Sequence, residues 1–336
     1  MVKLLRNILL PFVPIYYLAT SIRNFLYDNK ILKSKSYDLP VICVGNLSVG
    51  GTGKTPMIEY LVRLLSKDYK LATLSRGYKR KSKGFVLANE NSSVSSLGDE
   101  PYQYYLKFGD NLQVAVDTNR QDGIQELLDR VEPEVILLDD AFQHRKVKAG
   151  FNILLTDYNK LYTDDFLLPT GDLREPKHGA KRADFIIVTK CPQELTNSEQ
   201  TSIINKLNPN TKQKVFFSTV EYEENILGHN KQQDLSNLKS KHITIITGIA
   251  NPKPLIDYLK SLGLNFEHLK FRDHHNFTAS EIEEFSKKEF ILTTEKDFVR
   301  LKDFRQIRDR LFYLPIRFEI LNSEEFENTL LRFIKT

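Results

Sequence analysis

Residues 41–56 read VICVGNLSVGGTGKTP. The apolar run Val41-Ile42-Cys43-Val44 predicts a buried strand. A glycine-rich loop, 45–53, follows, and Lys54-Thr55 open a helix marked by Met57, Ile58, Leu61, Leu64 and Leu65. Strand, glycine loop and helix in that order make a phosphate-binding loop. Glycine leaves backbone N–H groups free to face phosphate oxygens, and the helix N-terminus adds positive partial charge. The expected nucleotide contacts are Ser48, Val49, Gly50, Gly51, Thr52, Gly53, Lys54 and Thr55. In this pattern Lys54 reaches the β- and γ-phosphates and the Thr55 hydroxyl ligates magnesium. The motif G-x-x-x-x-G-K-[ST] wants glycine at position 48, where this chain has Ser48. The competing reading is a glycine-rich turn with a chance lysine.

The remaining composition narrows the class. A chain of 336 residues can bury a sizeable core as one large or two medium domains. With 41% hydrophobic and 27% charged residues it reads as a soluble globular protein. A formal net charge of +5 does not call for nucleic acid, but it suits acidic substrates or an anionic membrane surface. Two distant cysteines, Cys43 and Cys191, give neither a disulfide framework nor metal-ligand spacing.

Sixteen uncharged, mostly apolar residues lie between Arg6 and Arg23, with Pro11 and Pro14 among them. The run is short for a spanning helix, which needs about 20 apolar residues, and the prolines are expected to interrupt it. No small-x-small cleavage site follows it. Residues 1–35 are therefore expected to lie in a membrane interface, with Arg23, Lys30, Lys33 and Lys35 near anionic lipid. Packing on the protein's own core is the alternative.

Further strands are predicted at 70–75, 114–116, 135–138, 151–156 and 185–189. In a parallel sheet ligands sit beyond the carboxyl ends of strands. Arg76, Tyr78, Arg120 and Arg174 lie just past such ends or in the loop 168–176, and are candidates to hold a substrate phosphate. Asp139 and Asp140 end the strand 135–138, where magnesium acids belong. Asp99, in GDEP, is either a helix cap or a carboxylate aimed at a reacting hydroxyl. Thr189-Lys190-Cys191 starts like a guanine-reading motif but lacks its aspartate. A change to polar sequence near 208–230 suggests a kinase-sized core at 36–218 and a smaller α/β unit at 219–336. That unit carries FRDHH (271–275) and TTEKD (293–297). His274 and His275 lack the cysteine partners and spacing of a zinc site.

VGNLSVGGTGKTP, LSRGY, GDEP, LLDDAFQH, LREP, FRDHH and TTEKD, in this order behind an apolar N-terminus, closely resemble the tetraacyldisaccharide 4'-kinase family over roughly residues 5 to 330. Ala141 stands where family members usually have glycine, and Arg272 where proline is common. The resemblance implies a P-loop NTPase-like α/β fold: a mostly parallel sheet with helices on both faces, a smaller C-terminal α/β domain and an N-terminal membrane-associated helix. It implies a monomeric kinase, peripheral on the cytoplasmic face of the bacterial inner membrane. Using ATP and Mg2+, it would phosphorylate the 4'-hydroxyl of an acylated glucosamine disaccharide 1-phosphate lipid. Carried onto this chain, the resemblance makes Asp99 the base, His274 its partner, Lys54 a phosphate ligand, and Thr55, Asp139 and Asp140 the magnesium residues. A membrane-touching partitioning ATPase shares the GG-x-GK loop, but usually has lysine where this chain has Val49. A kinase of soluble metabolites would not explain the apolar N-terminus.

Overall fold

A computed structural model describes residues 8–336. Residues 1–7, with the basic Lys3 and Arg6 of the expected interface segment, lie outside the described residues.

A short turn, Leu10–Phe12, leads into α1 (Val13–Asp28). The expected interruption by proline does not occur. Pro11 sits in the turn and Pro14 in the first turn of α1, where the missing N–H has no intrahelical partner to lose. The first half of the chain then gives β1 (Val41–Asn46), α2 (Lys54–Leu65), β2 (Leu71–Ser75), β3 (Val86–Leu87), α3 (Val94–Leu97) and α4 (Asp99–Phe108). It continues with β4 (Gln113–Val116), α5 (Arg120–Arg130), β5 (Val135–Asp139), β6 (Phe151–Asp157), β7 (Phe185–Thr189), α6 (Asn197–Leu207) and β8 (Lys214–Tyr222). The remainder forms β9 (Asn225–Gly228), β10 (Lys231–Asp234), β11 (Ile243–Thr247), α7 (Lys253–Ser261), β12 (Phe266–Lys270) and α8 (Ala279–Ser286). It ends with β13 (Phe290–Thr294), α9 (Glu295–Leu301), β14 (Leu311–Leu314), β15 (Ile316–Ile320) and α10 (Ser323–Lys335).

Two sheets result. The larger has the order β15-β8-β7-β6-β1-β5-β2-β4-β3, parallel except at its two edges. β1 lies at its centre, paired with β5 and β6. Val41 and Cys43 face one apolar cluster, Ile42 and Val44 the other. A strand buried on both faces needs apolar residues on both, which explains the uninterrupted run. Both cysteines are buried and free. The pairing Val44↔Asp139 sets the end of the phosphate-loop strand beside the aspartates of β5. The smaller sheet has the order β10-β9-β14-β13-β11-β12.

The expected division at 218/219 is corrected. β8 continues through Tyr222 in the larger sheet, and β15 returns to pair with it antiparallel. Pro315 separates β14 from β15; proline offers no N–H to a ladder. α10 then covers the larger sheet through Phe326, Leu330 and Ile334. The chain's last segment thus closes the core that its first strand began.

Phe326 is fully buried against Phe185, Phe216 and Tyr60 at ring separations of 5.1, 5.4 and 5.9 Å. Phe326→Ala is expected to remove about 3–5 kcal/mol of unfolding free energy in urea titration. A loss under about 1 kcal/mol would mean that α10 is not part of the core.

Candidate active site

Gly50 and Gly53 hold φ of 115° and 88°, which require glycine. Ser48 has no such backbone, so a side chain is tolerated there. It pairs instead with Leu173, and Val49 donates its N–H to the Asp172 carbonyl at 2.7 Å. Asn46 donates to the Thr52 hydroxyl at 2.7 Å, and Thr189 to the Thr52 carbonyl at 2.9 Å. Lys190 donates to the Gly51 carbonyl and pairs with Asp157. The residues that resemble the start of a guanine motif therefore brace the loop.

Lys54 lies 3.7 Å from Asp140, and Arg174 lies 2.8 Å from the same carboxylate oxygen. Burial opposes the Asp140 charge, but Lys54 and Arg174 outweigh it and hold its carboxyl below the usual range. Asp139 is deeper, 7% exposed, and accepts from Ser75 at 3.2 Å and Tyr104 at 3.4 Å. Burial first, and then the Asp140 charge, push it up to about 6. Thr55 opens α2 on the same edge. Two carboxylates and a hydroxyl are hard oxygen donors, a set that fits magnesium. Ala141, in place of the family's glycine, has an ordinary φ; the left-handed residue is Asp140 at 49°.

Asp99 is the first residue of α4 and is 8% exposed. His274 Nδ1 approaches one of its oxygens to 2.7 Å, and Arg300 donates to both. Burial favours the neutral acid, but the hydrogen bonds from His274 and Arg300 prevail and hold the carboxyl far below its usual range. Lys296 Nζ lies 3.0 Å from His274 Nε2. Arg300 Nη2 lies 2.9 Å from His274 Nδ1, so the imidazole sits between two cations and the Asp99 carboxylate. Lys296 also pairs with Glu100 at 3.3 Å. His275 points elsewhere, pairing with Glu281 at 3.0 Å and stacking on Phe271. The loop that presents His274 is fixed by Gly248, whose carbonyl accepts the His274 N–H and whose N–H donates to buried Asp297.

The structure thus gathers Lys54, Asp139, Asp140 and Arg174 at one sheet edge and brings Asp99 to His274 across the two units. Tyr78 is 61% exposed, with its ring 5.6 Å from that of His274, and Arg76 is also exposed. Arg120 corrects the expectation. It is 2% exposed, donates to the Asp117 carbonyl at 2.7 Å, and faces Asp139 and Asp140 from within. A guanidinium so enclosed balances the acids rather than receiving a ligand from solvent. Arg300 and Lys296 were missed by the motifs. Their i,i+4 spacing on one helix places both on the face that meets α4, and TTEKD already contains Lys296.

The model of the Tetraacyldisaccharide-1-P 4'-kinase family, LpxK, matches residues 5–335. A tetraacyldisaccharide 4'-kinase from Flavobacterium johnsoniae is 55% identical, over 99% of this chain and 98% of that protein. One from Bacteroides thetaiotaomicron is 44% identical, over 93% and 88%. A crystal structure of "apo" form LpxK from Aquifex aeolicus in complex with ATP is 34% identical, with a TM-score of 0.80 over 98% of this chain and 99% of that one.

Because the Asp99 carboxyl is depressed in the folded state, its ion pairs stabilise the fold fully above the unfolded value of about 3.9 and are lost as pH falls through and below it. The stability gap between wild type and Asp99→Asn should be constant from about pH 5 to 8 and shrink below about pH 4. Urea titrations across that range check this.

Proposed function

The chain belongs to the tetraacyldisaccharide 4'-kinase family, and on that premise we propose how its own residues carry the transfer. It is an ATP-dependent kinase of lipid A biosynthesis, moving the γ-phosphate of ATP to the 4'-hydroxyl of tetraacyldisaccharide 1-phosphate to give lipid IVA. One observation supports the roles above all others. A single helix, α4, carries Asp99 bonded to His274 at its start and Tyr104 bonded to Asp139 just over a turn later. Proton acceptor and metal acid are held by one rigid element.

Phosphoryl transfer needs positioning and charge stabilisation more than covalent help. The N–H groups of Gly50, Gly51, Gly53, Lys54 and Thr55 cradle the phosphates, and Lys54 balances charge on the transferred group. Thr55, Asp139 and Asp140 would hold magnesium, which when bound neutralises phosphate oxygens. Asp99 accepts the proton of the acceptor hydroxyl, and His274, with Nδ1 2.7 Å from the carboxylate, orients Asp99. Tyr78, beside His274, together with the solvent-exposed Arg76 and with Arg174, receives the acceptor's phosphate and sugar.

The lipid acceptor also accounts for α1. Ile8, Phe12, Ile15, Leu18, Ile22 and Phe25 are exposed, Ile8 at 70% and Ile15 at 66%. No helix of the described residues is long and apolar enough to cross a membrane. In our reading this apolar face lies in the cytoplasmic leaflet of the inner membrane, and the enzyme works there as a peripheral monomer. Each buried CH₂ holds a four-chain lipid in the bilayer by about 0.8 kcal/mol, so the enzyme must come to it.

Incubation with labelled ATP and the acylated disaccharide, soluble sugars or no acceptor should label only the lipid; phosphate release alone would refute the kinase reading. Asp99→Ala should lower kcat by about 10²–10⁴-fold with ATP affinity nearly unchanged, and a normal rate would remove Asp99 from the base role. Deletion of residues 1–27 should move the protein from the membrane to the soluble fraction on sedimentation; unchanged sedimentation would refute the anchor.

A further inference from the structure

α1 is attached where a mere anchor has no reason to be. Its one buried residue is Asn24, 2% exposed, whose amide donates to Glu175 Oε2 at 2.8 Å. A buried amide costs stability unless it is hydrogen-bonded, so this contact fixes how α1 lands. Two turns earlier the Tyr16 hydroxyl donates to the Arg174 carbonyl at 2.7 Å. Both contacts fall on adjacent residues of one loop.

That loop is stitched to the phosphate loop. Arg174 N–H donates to the Leu47 carbonyl at 2.7 Å, and its guanidinium pairs with Asp140. Glu175, 3% exposed, accepts on Oε1 from Arg182 at 2.7 Å and from Gln143 at 3.0 Å. Gln143 also donates to the carbonyl of Asn46, the last residue of β1, at 2.8 Å. From the buried face of α1 to the entry of the phosphate loop there are therefore three hydrogen bonds: Asn24 to Glu175, Glu175 to Gln143, Gln143 to Asn46. The opposite face of the same helix presents Ile15, Leu18, Ile22 and Phe25 to solvent.

We propose that Asn24 and Glu175 are positioning residues, through which the docking of α1 on the loop 168–176 sets the geometry of the phosphate loop and so the rate of transfer. This rests on the kinase and membrane readings above. α1 then serves two separable ends, binding through its apolar face and turnover through Asn24.

The test uses the full-length chain, labelled ATP, the tetraacylated acceptor, and vesicles of phosphatidylethanolamine and phosphatidylglycerol. Asn24→Leu keeps the side chain's size and removes its donor. Vesicle binding should stay within about twofold of wild type while kcat falls about tenfold, the scale of one hydrogen bond to a buried charge. Asn24→Asp combined with Glu175→Gln reverses the direction of that bond, leaves the total charge unchanged, and should restore kcat to within about threefold. Phe25→Ser should do the opposite of Asn24→Leu, losing vesicle binding while keeping the wild-type kcat on acceptor dispersed in detergent. The proposal is overturned if Asn24→Leu turns over at the wild-type rate, or if its rate falls only in step with vesicle binding. Should Asn24→Leu fail to fold, the double variant decides: an inactive, folded double variant overturns the proposal. Wild-type label transfer in the same tubes separates the two levels. Its absence counts against the kinase reading, whereas normal transfer with an unaffected Asn24→Leu counts only against the coupling.

Discussion

Two adjacent carboxylates at the end of a fully buried strand set the terms for the rest of the site. Asp139 and Asp140 repel each other where water is scarce, and Asp139 bears the cost, pushed up to about 6. The surrounding elements each bring something to offset it. Lys54 comes from α2, Arg174 from the loop before β7, and Arg120 from the start of α5. Ser75 comes from β2 and Tyr104 from α4. At 3.7 Å and an effective dielectric of about 20, the Lys54–Asp140 attraction is on the order of 4 kcal/mol before desolvation is subtracted. Such a pair does little for net stability. It does hold the phosphate-loop lysine at the end of β5.

The second sheet matters because it completes Asp99. Within the larger unit Asp99 would be a carboxylate at a helix start, the bland capping role its sequence context suggests. Arg300, Lys296 and His274 all arrive from the smaller unit. Lys107 on α4 further bridges Glu59 of α2 at 2.7 Å and Glu295 of α9 at 2.8 Å. Burial, and then the Glu59 charge, push Glu295 up to about 7, so the lysine is what keeps two enclosed carboxylates compatible. α4 therefore touches α2, Asp139 and the second unit at once.

Much of this was legible in sequence for a simple reason: local chemistry and local geometry coincide at the phosphate loop and at strand ends. A both-faces-buried strand needs an apolar run, and an anion-binding turn needs glycine, so β1, β5, Lys54 and the two aspartates declare themselves. Other features depend on tertiary partners that no short window contains. Arg120 looks like any cation past a strand until α5 carries it beneath the acids. Arg300 looks like an ordinary helical arginine until α9 meets α4. The return of β15 and α10 to the larger sheet could not be seen, because β15 pairs with β8 far back in the chain and Pro315 is the only local sign that β14 ends. Pro11 and Pro14 misled in the other direction, since a proline that breaks a helix interior is harmless at its first turn.

Ser48 shows how the same logic resolves an apparent defect. A phosphate loop that keeps glycine at its first position can take up a left-handed backbone there. This one does not, and its entry is instead fixed by neighbours: Leu173 pairs with Ser48, the Asp172 carbonyl takes the Val49 N–H, and Gln143 holds the Asn46 carbonyl. The stiffness that glycine geometry would have encoded locally has been moved to the loop 168–176. A loop held from outside responds to whatever moves its holder, and the holder here is the segment on which α1 rests. Under the coupling proposed above, this ties the phosphate-loop entry to the helix that exposes Ile15, Leu18, Ile22 and Phe25. On the membrane reading proposed above, that is where the acceptor is first met.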